Sequence, residues 1–200
     1  MITAEQIQSR FETLLEMIHD EDLRKKVVDT WVDGCRQGGW KSLDDLEQMP
    51  FTLLTETHGV NFLEHTEAVT RGALALAEAQ THSYRRMPYR VDTDVLIAGG
   101  LLHDVGKLTE IESDGKGGYR KSYAGKLARH PISGTVMAAM AGIDGPVLNT
   151  IACHAKEGDG RPQCLETILI HQADFATFDP LVMKQKGLLI ETPSKGEQNG

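Results

Sequence analysis

Six side chains in this 200-residue chain could bind metal: His65, the adjacent pair His103-Asp104, His130, His154 and Asp174. Imidazole nitrogen and carboxylate oxygen together suit a borderline divalent ion better than calcium. Apart from His103 and Asp104 the residues are far apart in sequence, so they can meet only after folding. Two such ions held close together activate water for attack on phosphorus. The residue types and their spacing therefore predict a metal-dependent enzyme, with phosphoester hydrolysis as the leading expectation.

The elements that must bring these residues together are nearly all helical. Thr3-Ala4-Glu5-Gln6 reads as a capping box, followed by Ile7, Phe11, Leu14, Leu15 and Ile18 at helical spacing. A second helix is predicted from about Glu21 to Arg36, stopped by Gly38-Gly39. Ser42 caps a short helix that ends before Pro50. A long helix over Asn61–Ala79 carries His65, and the stretch from Ser83 to Arg90 is a loop. Asp92 or Thr93 caps a helix expected to end near Gly106. Asp114-Gly115-Lys116-Gly117-Gly118 is a turn signal, so a small β-hairpin is expected within residues 109–123. His130-Pro131 and Gly145-Pro146 each open a helix, with proline in its favoured first turn. Arg161-Pro162 precedes a last long helix. The predicted fold is all-α: a helical lead-in over residues 1–60, a catalytic core over 61–190 and a flexible tail over 191–200, rich in Pro, Ser, Gly, Lys and Gln.

Helical periodicity turns the candidate ligands inward. His65 shares a stripe with Val69, Gly72, Ala73 and Leu76. On a 93–106 helix, His103 lies two turns from Leu96. On a 146–156 helix, His154 lies two turns from Val147 and one from Ile151. Asp174 lies one turn from Ile170 and His171. A lone inward histidine is more often a satisfied core residue than a ligand. An inward aspartate costs more, because an unpaired carboxylate in apolar surroundings is strongly disfavoured. A shared metal site accounts for all of them at once.

Composition narrows the function class. The formal net charge of −8 argues against a protein whose main task is gripping a nucleic-acid backbone. Cys35, Cys153 and Cys164 form no C-x-x-C pair, which fits reduced thiols in the cytoplasm. The N-terminus lacks the basic start and apolar stretch of a signal peptide. The strongest apolar run, Val95–Leu102, falls well short of the roughly 20 residues a membrane span needs.

Leu101-Leu102-His103-Asp104-Val105-Gly106-Lys107 resembles the signature of the HD superfamily of metal-dependent phosphohydrolases, named for its adjacent His-Asp pair. The order His65, His103-Asp104, His130, His154, Asp174 is similar to the six-ligand, two-metal branch of that superfamily. His130-Pro131-Ile132-Ser133-Gly134 resembles the segment that supplies the third histidine in the cyclic-dinucleotide phosphodiesterases of the branch. The stretch from His154 to Pro162 departs from them, with one histidine where they have two and no Gly-Tyr-Pro, which counts against cyclic-dinucleotide specificity. The resemblance covers residues 61–180 and implies an HD-type helical bundle. It implies one metal on His65, His103, Asp104 and Asp174, with Asp104 bridging to a second on His130 and His154. The ions implied are one or two of Fe, Mn, Co, Ni or Zn. The other HD pair, His19-Asp20, has no apolar lead and reads as a solvated helix terminus.

Charges near the ligands suggest a substrate. Lys107 is expected to act in catalysis beside Asp104 by orienting a phosphate, against the plainer reading of a lysine on a helix dipole. Arg129 neighbours His130, and Arg85 and Arg86 form a basic run; all three are candidate binders of the expected substrate, a nucleotide or other small phosphorylated metabolite, with solvated surface as the alternative. His171 is a candidate partner orienting Asp174. Two rival functions share the ligand set: a diiron oxygenase of HD type cleaving a C–C or C–P bond, and a non-catalytic nucleotide-binding regulatory module. A nuclease would need a longer basic track than the sequence contains.

Overall fold

Oxygen-bearing side chains write most of the helix starts into this chain. In the computed structural model, which describes residues 1–192, Thr3 and Gln6 close a capping box on α1 (Ala4–Arg10), which is followed by a single turn, α2 (Glu12–Leu15). Asp20 caps α3 (Glu21–Gly38), and Ser42 with Asp45 boxes α4 (Leu43–Gln48). Asn61 with Glu64 boxes α5 (Phe62–Ser83), and Asp92 caps α6 (Thr93–Leu102). Each such cap satisfies amide donors that would otherwise lack partners and stabilises its helix by about 1 kcal/mol. The remaining elements are α7 (Lys107–Glu110), strands β1 (Ile111–Ser113) and β2 (Tyr119–Lys121), α8 (Tyr123–Leu127), α9 (His130–Met140), α10 (Gly145–Cys153), a 3-10 turn over Lys156–Gly158, and α11 (Leu165–Gln185).

The fold is all-α apart from one antiparallel hairpin, in the register Ile111 to Lys121 and Ser113 to Tyr119. Its turn is closed by Asp114, whose Oδ1 accepts from the amides of Lys116 and Gly118 at 2.7 and 2.9 Å. No described helix is long and apolar enough to cross a membrane.

Several boundaries differ from the sequence expectation. The first helix breaks at Phe11 (φ −113°, ψ 19°), where the ring seats against Trp31 at 5.1 Å. The apolar stripe survives the break, since Ile7, Leu14, Leu15 and Ile18 are all buried. Helix α5 runs on to Ser83, and Leu76, expected on its inner stripe, is exposed. Helix α6 ends at Leu102 rather than Gly106, and residues 103–106 form successive tight turns. At the end of those turns the chain passes close under α9: a Cβ on Gly106 would lie 2.1 Å from the carbonyl oxygen of His130, so the approach requires glycine there. Helix α10 likewise ends at Cys153, leaving His154 as its C-cap. Of the tail expected over 191–200, residues 193–200 lie outside the described residues.

One apolar core runs through the lead-in and the segment that carries His103-Asp104. It joins Ile7, Leu14, Val28 and Trp31 to Phe62, Leu101, Leu102, Val105 and Leu108. Two indoles tie the regions together: Trp31 Nε1 donates to the carbonyl of Leu101 at 3.0 Å, and Trp40 Nε1 donates to that of Leu108 at 2.8 Å. These carbonyls lie on either side of His103-Asp104, so the lead-in holds both ends of that turn.

Candidate metal centre

Four imidazoles reach the same point from four elements. His65 lies in the first turn of α5, just after its Asn61 cap. His103 and His154 are the C-caps of α6 and α10, and His130 opens α9. Each ring is held by its Nδ1. That of His103 donates to the carbonyl of Gly100 at 2.7 Å, and that of His154 to the carbonyl of Ile151 at 3.0 Å. A carbonyl only accepts, so both rings carry their proton on Nδ1 and present the Nε2 lone pair. His65 Nδ1 lies 3.3 Å from Thr177 Oγ1, and His130 Nδ1 lies 3.0 Å from Glu110 Oε2. The ring of His65 also stacks on Phe51, with centroids 4.1 Å apart.

The free nitrogens surround Asp104. Oδ2 of Asp104 lies 3.3 Å from His65 Nε2 and 3.4 Å from His103 Nε2, whereas Oδ1 lies 3.2 Å from His130 Nε2 and 3.5 Å from His154 Nε2. Asp174 Oδ1 lies 3.2 Å from His65 Nε2. Close as they are, Nε2 of His65, His103 and His154 and Oδ1 of Asp104 have no hydrogen-bond partner, although all are buried. Orphaned polar atoms of this kind cost about 1–3 kcal/mol each, more when charged. Ligand atoms about 2.1 Å from one ion stand roughly 3.0–3.4 Å apart, close to the spacings found here. The donors therefore fit a divalent metal, in two groups that share Asp104: His65, His103 and Asp104, and Asp104, His130 and His154.

The electrostatics suit ligation. Burial acts to raise the pKa of Asp104, but Lys107, then His103 and His130, outweigh it and hold the carboxyl well below the usual range. Burial acts to raise Asp174 as well, yet the neighbouring rings of His65, 3.2 Å away, and His103 outweigh it and bring it down to about 2. Burial lowers His130 below its ordinary value despite the pull of Asp104 and Glu110, which favours the neutral ring a metal needs. Glu110 falls to about 2: burial is outweighed by His130 and Lys121.

A cavity of about 410 Å³ opens onto this cluster, and its lining includes Asp104, His130, Asp174 and the cations Lys107, Lys121 and Arg129. Lys107 donates to Asp104 Oδ2 and lies 5.7 Å over the Phe51 ring. Arg129 pairs with Glu157 at 2.6 Å. Arg85 and Arg86 do not share this position: they are exposed in the loop after α5 and do not line the cavity. Nor does His171 meet Asp174. Its Nδ1 turns instead to the carbonyl of His154, 2.6 Å away, so it braces the end of α10. Glu110, Thr177 and Phe51 were not singled out by sequence reasoning. For Glu110 a signal existed, a carboxylate placed between a helix end and a predicted strand; Thr177 and Phe51 carried none.

A family comparison matches the HD domain over residues 62–176, more than half the chain. The chain belongs to the HD domain family. It is a metal-dependent hydrolase of that family. It is 28% identical over 173 residues to the dihydroneopterin 2',3'-cyclic phosphate phosphodiesterase of Methanocaldococcus jannaschii, covering 84% of this chain and 67% of that protein. It is 29% identical over 118 residues to ribonuclease Y of Pseudothermotoga lettingae, covering 59% of this chain and 18% of that protein. No solved structure matches the chain.

Proposed function

We propose that this HD domain protein is a two-metal phosphohydrolase acting on a small phosphorylated metabolite, as a phosphomonoesterase or phosphodiesterase. The observation that carries this reading is the division of Asp104. Its two oxygens face different histidine pairs, with Oδ2 toward His65 and His103 and Oδ1 toward His130 and His154. A carboxylate so placed joins two cation sites without having to move. His65, His103, Asp104 and Asp174 would hold one ion, and Asp104, His130 and His154 the other. Bound divalent ions supply Lewis acidity and a water acidic enough to lose its proton near neutral pH.

The protein's own groups do the rest. Nδ1 contacts fix the ring planes, so little reorganisation is needed when ions enter. Lys107 and Arg129 face the cavity beside Asp104 and His130, where they would bind and turn a phosphate. The similar Methanocaldococcus jannaschii enzyme, by its name, acts on a cyclic phosphodiester, which is why the diester belongs beside the monoester here.

The test begins with metal analysis of freshly purified protein, followed by a screen of phosphomonoesters and phosphodiesters with the metal found, run with and without air. Hydrolysis that needs metal and ignores oxygen is expected. Oxygen-dependent turnover with bound iron, or no turnover with a full metal load, would overturn the proposal.

A further inference from the structure

The cavity has a second wall that the phosphate chemistry does not use. The same cavity is also lined by Phe51, Leu53 and Leu54 from the lead-in, and by Phe175 and Phe178 from α11. The lead-in part lies outside the matched HD stretch, which begins at residue 62. The wall is cross-tied. Phe51 meets Phe178 edge to face at 6.4 Å, and Gln185 Oε1 of α11 accepts from the Thr55 hydroxyl and, at 3.0 Å, from the Glu56 amide. A bridge between Pro50 and Asn61 closes the base of the loop. The loop is thus held against α11 at both its root and its middle.

Leu53 and Leu54 sit at the cavity mouth, 42% and 78% exposed. Neither belongs to the apolar core, so folding alone does not account for leucines there. Aliphatic and aromatic groups thus share the lining with Lys107, Lys121 and Arg129, so the cavity offers both apolar surface and positive charge. Its volume matches a small ligand rather than a polymer.

We infer that residues 51–54, with Phe175 and Phe178, form a subsite for a planar aromatic ring carried by the alcohol portion of the phosphoester. This inference rests on the phosphohydrolase reading for the position of the phosphate. The ring lies against the leucines and phenylalanines while its phosphate reaches Lys107 and Arg129. Flat rings gain most from such a wall, because they bury large area with little loss of conformational freedom.

The experiment uses the metal-loaded full chain and matched esters that differ solely in the ring: a nucleoside 5'-monophosphate against ribose 5-phosphate, and a nucleoside 2',3'-cyclic phosphate against methyl riboside 2',3'-cyclic phosphate. The ring-bearing member of the pair that is cleaved is expected to show at least tenfold higher kcat/KM. Leu54→Ser and Phe178→Leu should each shrink that preference about tenfold, whereas a merely structural defect would lower both esters together. Equal turnover of the two members, or a preference untouched by both variants, would overturn the subsite and leave hydrolysis standing. If no ester is cleaved the hydrolase reading fails instead, and calorimetric titration with the ring-bearing esters decides the subsite alone. Binding weakened by both variants upholds it, and no binding overturns it.

Discussion

The two halves of the centre are built by different means. The half around His65, His103 and Asp174 is made by packing: two of its residues lie within the long helices α5 and α11, and its rings are held by a threonine hydroxyl and a backbone carbonyl in the interior. In the half around His130 and His154, one ring is held by charge. Glu110 accepts from both the backbone amide and Nδ1 of His130 and is itself paired with Lys121 at 3.1 Å. A backbone carbonyl cannot be removed by substitution, whereas the Glu110 carboxylate can, and its loss touches His130 alone among the four rings. The halves should therefore be separable by experiment, although they share Asp104.

The change that erases the comparison altogether is Asp104→Ala. It removes the carboxylate common to both groups, so metal content should drop to near zero and turnover by about a thousandfold or more; atomic emission and steady-state kinetics read both. A variant that kept its metal would break the proposal at its base. His154→Ala should empty one half only, leaving about one ion per chain and a large loss of turnover. Glu110→Gln is a sharper probe, since it keeps the side chain's shape and loses its charge. One ion should then bind about 10–100-fold more weakly while the other is retained, as a metal titration would show; equal weakening of both would mean the halves are not independent.

Acid should act on the metal-free protein in the same sense. The folded pKa of His130 lies below its ordinary value of 6.5, so protons favour the unfolded chain as pH falls below that value. Glu110 and Asp174, each at about 2 against ordinary values of 4.5 and 3.8, add stability that is full above those ordinary values and is lost as pH falls from there toward 2. Melting temperature should therefore fall in two stages on acidification, and saturating metal at near-neutral pH should raise it. The smallest effect expected is that of Trp40→Phe, which leaves the Leu108 carbonyl unpaired and should cost about 1–3 kcal/mol in denaturant unfolding.

What sequence could reveal here depended on how local each signal was. His103-Asp104 stood out because its apolar lead and the following Gly106-Lys107 are contiguous. The helix caps at Thr3, Ser42 and Asp92 were legible for the same reason, each needing only a residue three positions away. The grip on the ligands is not local: Glu110 meets His130 across 20 residues and Thr177 meets His65 across 112. Phe51 was harder still, because the lead-in carried no motif. Arg85 and Arg86 are a conspicuous run of charge in the sequence, yet they lie exposed in the loop after α5 and do not line the cavity. Helix periodicity extended α6 to Gly106 because it counts turns and does not register the close approach of α9.

The indoles of Trp31 and Trp40 bond to carbonyls on either side of the His-Asp turn, and the chain has just these two tryptophans. Its tryptophan emission therefore comes entirely from the two clasps around that turn. Loosening or tightening there will change the colour or intensity of the emitted light, so ion uptake can be timed in a stopped-flow instrument without attaching a dye.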